Sequence, residues 1–444
     1  MNEEDDKMKI EQYSLGIGDR FGAEGAAQLR ALQQAASLGV QIVPVWNKSN
    51  REHSIIGTSP GDTRREADEA VKACGWTGSY YVDADHIGIG TVDRFLDSSN
   101  FFTIDVADFI GKTAEGESMA QFLRAMAAYK GSLKIPGLTI PVVVSNELLE
   151  GVAWKYLAAV EEAGRVYRHI AEAKGEDSFV PEISVDEANS PQTPAELFFI
   201  LAAIARERIP IQTIAPKFTG SFLKGIDYVG DISQFTKEFE DDLAVLAFAQ
   251  ERFKFPANLK LSVHSGSDKF SLYSIMHRAI KKSGAGLHVK TAGTTWLEEL
   301  IGLAASDGDG LLAAKEVYRQ SYQRYDELCQ PYLTVIDIDK GKLPSPEVVA
   351  GWSKEDYIQA LQHDQSNRNY NVNFRQLVHV GYKVAAEMGE RFAKLLRECR
   401  SAVEENVTYN LFERHIRPIF IGEGDGGEQR HGKQKNASSV AQTT

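Results

Sequence analysis

The chain is short of cysteine, of positive charge and of long apolar runs. Its 444 residues include three cysteines, Cys74, Cys329 and Cys399. They are odd in number, far apart and in no CxxC pair. That excludes a disulfide framework and a thiolate zinc site, and leaves free thiols in a reducing cytoplasm as the expectation. Lys and Arg number 49 against 62 Asp and Glu, a formal net charge of −13. Nucleic-acid proteins carry a basic face, so no nucleic-acid partner is expected. No run approaches the roughly 18 apolar residues that span a bilayer, and MNEEDDKMKI lacks the basic-then-apolar order of a secretory signal. No membrane partner is expected either. A dinucleotide turn is also missing, because GIGDRFG has the wrong spacing for GxGxxG.

What the chain does have is an eightfold alternation. Strand-like runs recur, each followed by a helix-like stretch: QYSLGIGDR, VQIVPVWN, SYYVDADH, FFTIDVADF, FVPEISVDE, IPIQTIAPKF, LKLSVHS and GLHVKTAG. β-Branched runs alternating with 3.6-period segments predict a parallel sheet with crossover helices. Eight such units predict an α/β fold, a (β/α)8 TIM barrel over residues 10–310. The fourth unit is expected to continue as one long, mostly helical section from about Ser118 to Lys174. Residues 311–421 read as a helical extension packed on the barrel, and 422–444, rich in Gly, Gln, Ser and Thr, as a disordered tail.

In such barrels the chemistry sits at the C-terminal strand ends. Alternate strand residues face the helices and should be apolar. With Leu261, Val263, Leu287, Val289, Ile104, Val82 and Ala84 facing outward, the inward set at the mouth becomes Asp83, Asp85, Asp105, Glu182, Asp186, His264, His288 and Lys290. His86 and Glu187 follow just beyond their strands, and Lys217 stands next to last in the sixth run. Buried charges are costly, so this ring calls for a metal, a substrate or mutual pairing. Imidazole plus carboxylate is the ligand mix of a divalent zinc, manganese, nickel or iron ion in an open catalytic site. His86, His264 and His288 are the candidate ligands, with Asp227 of GIDYVGD a fourth. The helical His169, His277, His379 and His415 read as satisfied surface or core histidines. HSGSDKF, with Ser265 and Lys269, and KTAGTTW, beside Lys290, place small residues before helices, where free N–H groups favour an anion. With Arg20 and Lys217 they point to a negatively charged small-molecule substrate.

The segments YVDADHIG, FFTIDVADF, EISVDEANSPQTPAELFFI, APKFTGSF and LSVHSGSDKFSLY resemble the tagaturonate epimerase family, whose relatives include tagatose 4-epimerases. The resemblance runs over about residues 10–420, with EISVDE and HSGSDKFS its most specific parts. It implies a divalent-metal-dependent interconversion of D-tagaturonate and D-fructuronate, a sugar-acid substrate from hexuronate breakdown. It further implies Asp85 as proton acceptor beside the ligand His86, His264 as a ligand, and a glutamate of EISVDE as proton donor. Glu187 is taken for that role, although parity points Glu182 inward. Asp227 and His288 both remain open as the further ligand. Asp83, Glu182, Arg20, Lys217, Ser265, Lys269 and Lys290 are the expected substrate contacts.

The chemistry can be argued separately. The two ketouronates differ at a hydroxyl-bearing carbon β to the ketone, whose C–H is not acidic. Retro-aldol cleavage to an aldehyde and an enediolate, rotation and re-addition would invert it, with a metal as Lewis acid and paired acid/base groups. A metal-dependent aldolase or hydrolase acting on an anionic sugar derivative in the same barrel site is the alternative. A homo-oligomer is left open.

Overall fold

The computed structural model describes residues 7–422 except 115, 265, 266 and 292. Most of the segment expected to be a disordered tail therefore lies outside the described residues, as does Ser265.

Ten strands occur in the described chain: β1 (Tyr13–Ile17), β2 (Val43–Ser49), β3 (Tyr81–Ile87), β4 (Phe101–Asp105), β5 (Gly131–Leu133), β6 (Val142–Val144), β7 (Val180–Ser184), β8 (Thr213–Ala215), β9 (Lys260–His264) and β10 (Leu287–Lys290). Eight close a parallel barrel in the order β1-β10-β9-β8-β7-β4-β3-β2, so the eightfold alternation is a (β/α)8 barrel as expected. The expected continuous section after β4 is interrupted. Between the helices Gly116–Met126 and Asn146–Lys174, β5 and β6 pair antiparallel as a separate hairpin.

Period-two patterning divides the barrel by depth. On β2, β3, β4 and β7 the inward positions at the N-terminal end are apolar, and Ile10, Val43, Val45, Tyr81, Phe101 and Val180 form one buried cluster there. Two residues further along the same strands, the inward positions become Asn47, Asp83, Thr103 and Glu182. On these four strands apolar side chains thus plug the floor and leave the polar ones above it. Outside, helix Pro194–Arg206 is apolar on every face, with Leu197 through Ile204 all buried. It packs between helices Asn146–Lys174 and Ile232–Phe253, the usual fate of a helix without a polar face.

The C-terminal helices build a second core with barrel helix Thr294–Ala305, centred on Trp296, Tyr318, Tyr357 and Phe374. Segment Asn410–Ile421 then returns to the barrel helices Gly25–Ser37 and Phe270–Ser283. Among the described residues no helix is long and apolar enough to cross a membrane.

Candidate active site

The C-terminal strand ends open into a cavity of about 830 Å³, a size that accepts a small organic molecule. Its wall includes Asp85 and His86 from β3, Asp105 from β4, Asp186 and Glu187 beyond β7, Lys217 beyond β8, His264 from β9 and Lys290 from β10. Thr334 and Val335, from the C-terminal extension, complete it.

His86 owes its place to a break in the alternation. After Asp85 the next side chain should face the helices. Instead the pairing of β3 with β4 shifts register between Ala84 and Ile87, and His86 takes a left-handed φ of 51°. A bulge of this kind re-aims one side chain, here into the mouth. The rings of His86 and His264 meet edge to face, with centroids 5.1 Å apart.

Carboxylates surround this pair. His86 Nδ1 lies 3.0 Å from Asp105 Oδ2, while Asp105 Oδ1 accepts the backbone N–H of Ala107. His264 Nδ1 lies 3.0 Å from Asp186 Oδ2, and its Nε2 lies 3.0 Å from Glu182 Oε1. Burial alone would lower both imidazoles. The carboxylates outweigh it, raising His86 to about 10 and His264 above the usual histidine range. The reciprocal effect overcomes burial and holds Asp186 below the usual carboxylate range. This electrostatic surplus favours added positive charge, whether protons or a cation.

The geometry suits a cation. The donor atoms of His86, Asp186 and His264 all lie within 4.8 Å of one another, and so do those of His86, Asp105 and Glu187. Two imidazoles with carboxylate oxygen form a donor set for zinc, manganese, nickel or iron. Asp105 on His86 Nδ1 would orient that ring, as carboxylates behind ligating histidines do.

Below the imidazoles lies a layer of paired charges. Lys290 Nζ is 2.8 Å from Asp83 Oδ2, 3.1 Å from Asp85 Oδ1 and 3.0 Å from Glu182 Oε1. Thr103 Oγ1 donates within the same group, 2.9 Å from Asp83 Oδ1 and 3.1 Å from Glu182 Oε1. Burial raises Asp83 to about 6, whereas Lys290 and His264 overcome burial to hold Glu182 well below its ordinary value. Asp83 and Glu182 are 2% and 0% exposed and stay out of the cavity wall, which corrects their expected role as substrate contacts. Asp85 does reach the wall, with Lys290 and the imidazoles holding it ionised against the effect of burial. Glu187 faces the cavity openly, and enclosure by the walls together with Asp105 raises its carboxyl. Of the two EISVDE glutamates, Glu187 is the one that lines the cavity.

Two expected metal ligands stand elsewhere. His288 does point into the barrel, but one layer down: fully buried, with Nδ1 2.9 Å from Ser14 Oγ and its ring against Phe101. Burial lowers it to about 3. Asp227 caps helix Phe270–Ser283, accepting from the N–H and hydroxyl of Ser271. The group that joins His86 and His264 is Asp186, which parity had placed inside without singling it out as a ligand.

Of the expected anion contacts, Lys217 lines the cavity, its Nζ 3.5 Å from the Asp186 carbonyl. Arg20 lines it too, ion-paired with Glu52 and stacked 4.0 Å over Tyr382. Lys269 does not reach it. Its buried ammonium donates to the carbonyls of Leu223, Ile226 and Ser267, so this lysine ties loops together. The four helical histidines divide as well. His169 lies by Asp93, His277 by the Ile419 carbonyl and His415 by Asp268, but among the described residues His379 has no hydrogen-bond partner. Sequence reading passed over Arg51, Glu52 and Lys224 on the cavity wall, and Tyr332 and Tyr382 behind them. They come from a short helix, a loop and the extension, where no strand parity singles them out.

A family model for tagaturonate epimerase matches residues 4–418. The chain is 28% identical over 418 residues to the tagaturonate/fructuronate epimerase of Thermotoga maritima, covering 91% of this chain and 80% of that protein. It also superposes on the fructuronate-tagaturonate epimerase of Cohnella laeviribosi. The native crystal structure gives a TM-score of 0.74 and the complex with one glycerol 0.76, each at 24% identity and covering 93% of this chain and 82% of the other. At that identity the likeness shows a shared fold.

Proposed function

The chain belongs to the tagaturonate epimerase family, and from that premise we propose that it interconverts D-tagaturonate and D-fructuronate by retro-aldol inversion. The observation that carries the reading is the meeting of Asp85, Glu187 and the His86–Asp186–His264 group on one cavity wall. Asp85 lies in β3 and Glu187 just beyond β7, two strands separated in the barrel by β4 alone. A substrate carbon lying between them is addressed from two sides.

Asp85 is kept ionised by Lys290 and is the group to accept the proton of the hydroxyl on the carbon to be inverted. The bond between that carbon and its neighbour toward the ketone then breaks. Its electron pair passes to the ketone-bearing fragment as an enediolate, and the other fragment becomes an aldehyde. After the aldehyde turns, the same bond reforms on its opposite face. Glu187 gives a proton to the new alkoxide, and proton exchange with water resets both carboxyls. Lys217, beside the Asp186 carbonyl, adds positive charge near the developing oxyanion. His86, Asp186 and His264 would hold a divalent ion, which supplies Lewis-acid stabilisation of negative charge when bound. Asp105 orients His86 for that purpose.

The test is incubation with each ketouronate, with and without chelator, followed by return of zinc, manganese, nickel or iron. Conversion in both directions, lost with chelator and regained with one of the ions, is the expected result. No conversion under any ion overturns the reading. Retro-aldol inversion also retains the hydrogen on the inverted carbon, so solvent deuterium at that position would overturn the mechanism while leaving the activity.

A further inference from the structure

Five basic residues line the cavity: Arg20, Arg51, Lys217, Lys224 and Lys290. Three are committed elsewhere. Lys290 is enclosed by three carboxylates, Arg20 is neutralised by Glu52, and Lys217 turns to the Asp186 carbonyl at the metal-binding end. Arg51 and Lys224 remain, and among the described residues neither has an ion-pair partner.

These two cations meet over one aromatic ring. Arg51 Cζ lies 4.9 Å and Lys224 Nζ 5.5 Å from the centroid of Tyr332. The Tyr332 hydroxyl is hydrogen-bonded to that of Tyr382 at 2.7 Å, and Tyr382 carries Arg20 above its face. Three cations therefore gather over two linked tyrosines, with one carboxylate, Glu52, among them. Ring faces hold cations in place while leaving their N–H donors for another partner. The position of Lys224 is fixed by its backbone N–H, which donates to Val335 in the extension at 2.8 Å. Burial and the neighbouring Arg20 and Arg51 depress its ammonium to about 8, against the opposing pull of Glu52 and Asp85.

We propose that Arg51 and Lys224 form the subsite that takes the carboxylate end of a six-carbon sugar acid. They thereby set the preference for the acid over a neutral ketohexose. The planar guanidinium of Arg51 suits a bidentate carboxylate and Lys224 adds a point charge. The assignment rests on the epimerase reading for the identity of the acid, but its test does not need turnover. A phosphate would satisfy the same two cations, so a phosphorylated probe is included.

Calorimetric binding on the full chain, with a six-carbon aldonate, the matching neutral alditol and the alditol phosphate as probes, distinguishes the cases. The wild-type protein is expected to bind the aldonate at least tenfold more tightly than the alditol, and more tightly than the phosphate. Arg51→Gln and Lys224→Gln should each reduce the aldonate-to-alditol preference about tenfold, and Arg51→Lys should retain most of it. Melting temperatures near wild type establish that the variants fold. No preference in the wild-type protein, or one unchanged in both glutamine variants, overturns the subsite. Tighter binding of the phosphate overturns its assignment to a carboxylate. Selective aldonate binding that depends on Arg51, with no epimer formed from either ketouronate, upholds the subsite and removes the epimerase reading alone.

Discussion

At the scale of single residues, His86 shows how a departure from regular geometry serves the site. A non-glycine residue in the left-handed region costs about 1–3 kcal/mol and persists where the surroundings over-determine it. Here the bulge in β3, the Asp105 carboxylate and the His264 ring determine it together. The same scale separates the proposed metal ligands from their lookalikes. His264→Ala and Asp186→Asn should each weaken metal binding at least tenfold, measured as bound metal after dialysis against a buffered ion. Asp227→Ala should leave bound metal at the wild-type level and lower stability by about 1 kcal/mol, the usual cost of losing a helix-capping acceptor. Metal loss in the Asp227 variant would return that residue to the ligand set.

At the scale of elements, the extension holds Asp268, beyond the end of β9. Ser267 and Asp268 there take φ values of 87° and 52°. Asp268 is fully buried between Arg375 Nη2, His363 Nδ1 at 3.1 Å and His415 Nε2 at 3.1 Å. All three partners come from the C-terminal extension, so Asp268 is positioned from outside the barrel. Arg375→Met should destabilise the protein by about 3–5 kcal/mol in urea denaturation, because it leaves a buried charge without its main partner. Adding Asp268→Asn should recover part of that loss. An equal or larger loss in the double variant would show that the ion pair is not what matters there. This dependence on the extension also explains what could be read from the sequence. Strand ends were legible because parity needs only local alternation, and it located Asp85, Asp105, Asp186, His264 and Lys290. Depth was not legible: His288 and Lys290 share one strand and one face, yet one lies beneath the mouth and the other reaches it. The hairpin β5–β6 escaped because three-residue strands carry too little alternation to stand out beside two helices. Lys224 on the cavity wall, and Tyr332 and Tyr382 behind it, are placed by tertiary packing, which no local pattern encodes.

At the scale of the whole molecule, the formal charge of −13 counts as ionised several carboxyls that the fold keeps protonated. Burial raises Glu24 and Glu66 to about 8, Glu298 to about 7, and Glu299 well above its ordinary value. An unfolded glutamate releases its proton above about pH 4.3, so these groups make stability fall as pH rises from there towards 8. Buried histidines act in the opposite sense. Burial lowers His53 to about 4, His288 to about 3, and His363 and His379 below the usual range. An unfolded imidazole gains a proton below about pH 6.5 while these stay neutral, so stability falls as pH drops through that value. Between about pH 4.3 and 6.5 the two slopes oppose each other. Above 6.5 the histidine contribution is exhausted and the carboxyls dominate, joined in ion-free protein by the raised His86 and opposed in part, from about pH 7 upward, by Lys260 and Lys269, which burial lowers to about 7, and by Lys224. Below 4.3 the carboxyl contribution is exhausted and the most deeply depressed histidines remain. Asp268, held below the usual carboxylate range by Arg375 against burial, adds to that acid loss. Urea denaturation across pH should therefore show a broad maximum near pH 5–6.5. From pH 6.5 to 8 the loss should be at least about 1 kcal/mol per pH unit, since each unmatched proton contributes about 1.4 kcal/mol per unit. Glu299→Gln should flatten that alkaline limb, because an amide cannot release the proton. Stability that keeps rising from pH 6.5 to 8, or an alkaline limb unchanged in the glutamine variant, would mean that these carboxyls are ionised in the folded chain.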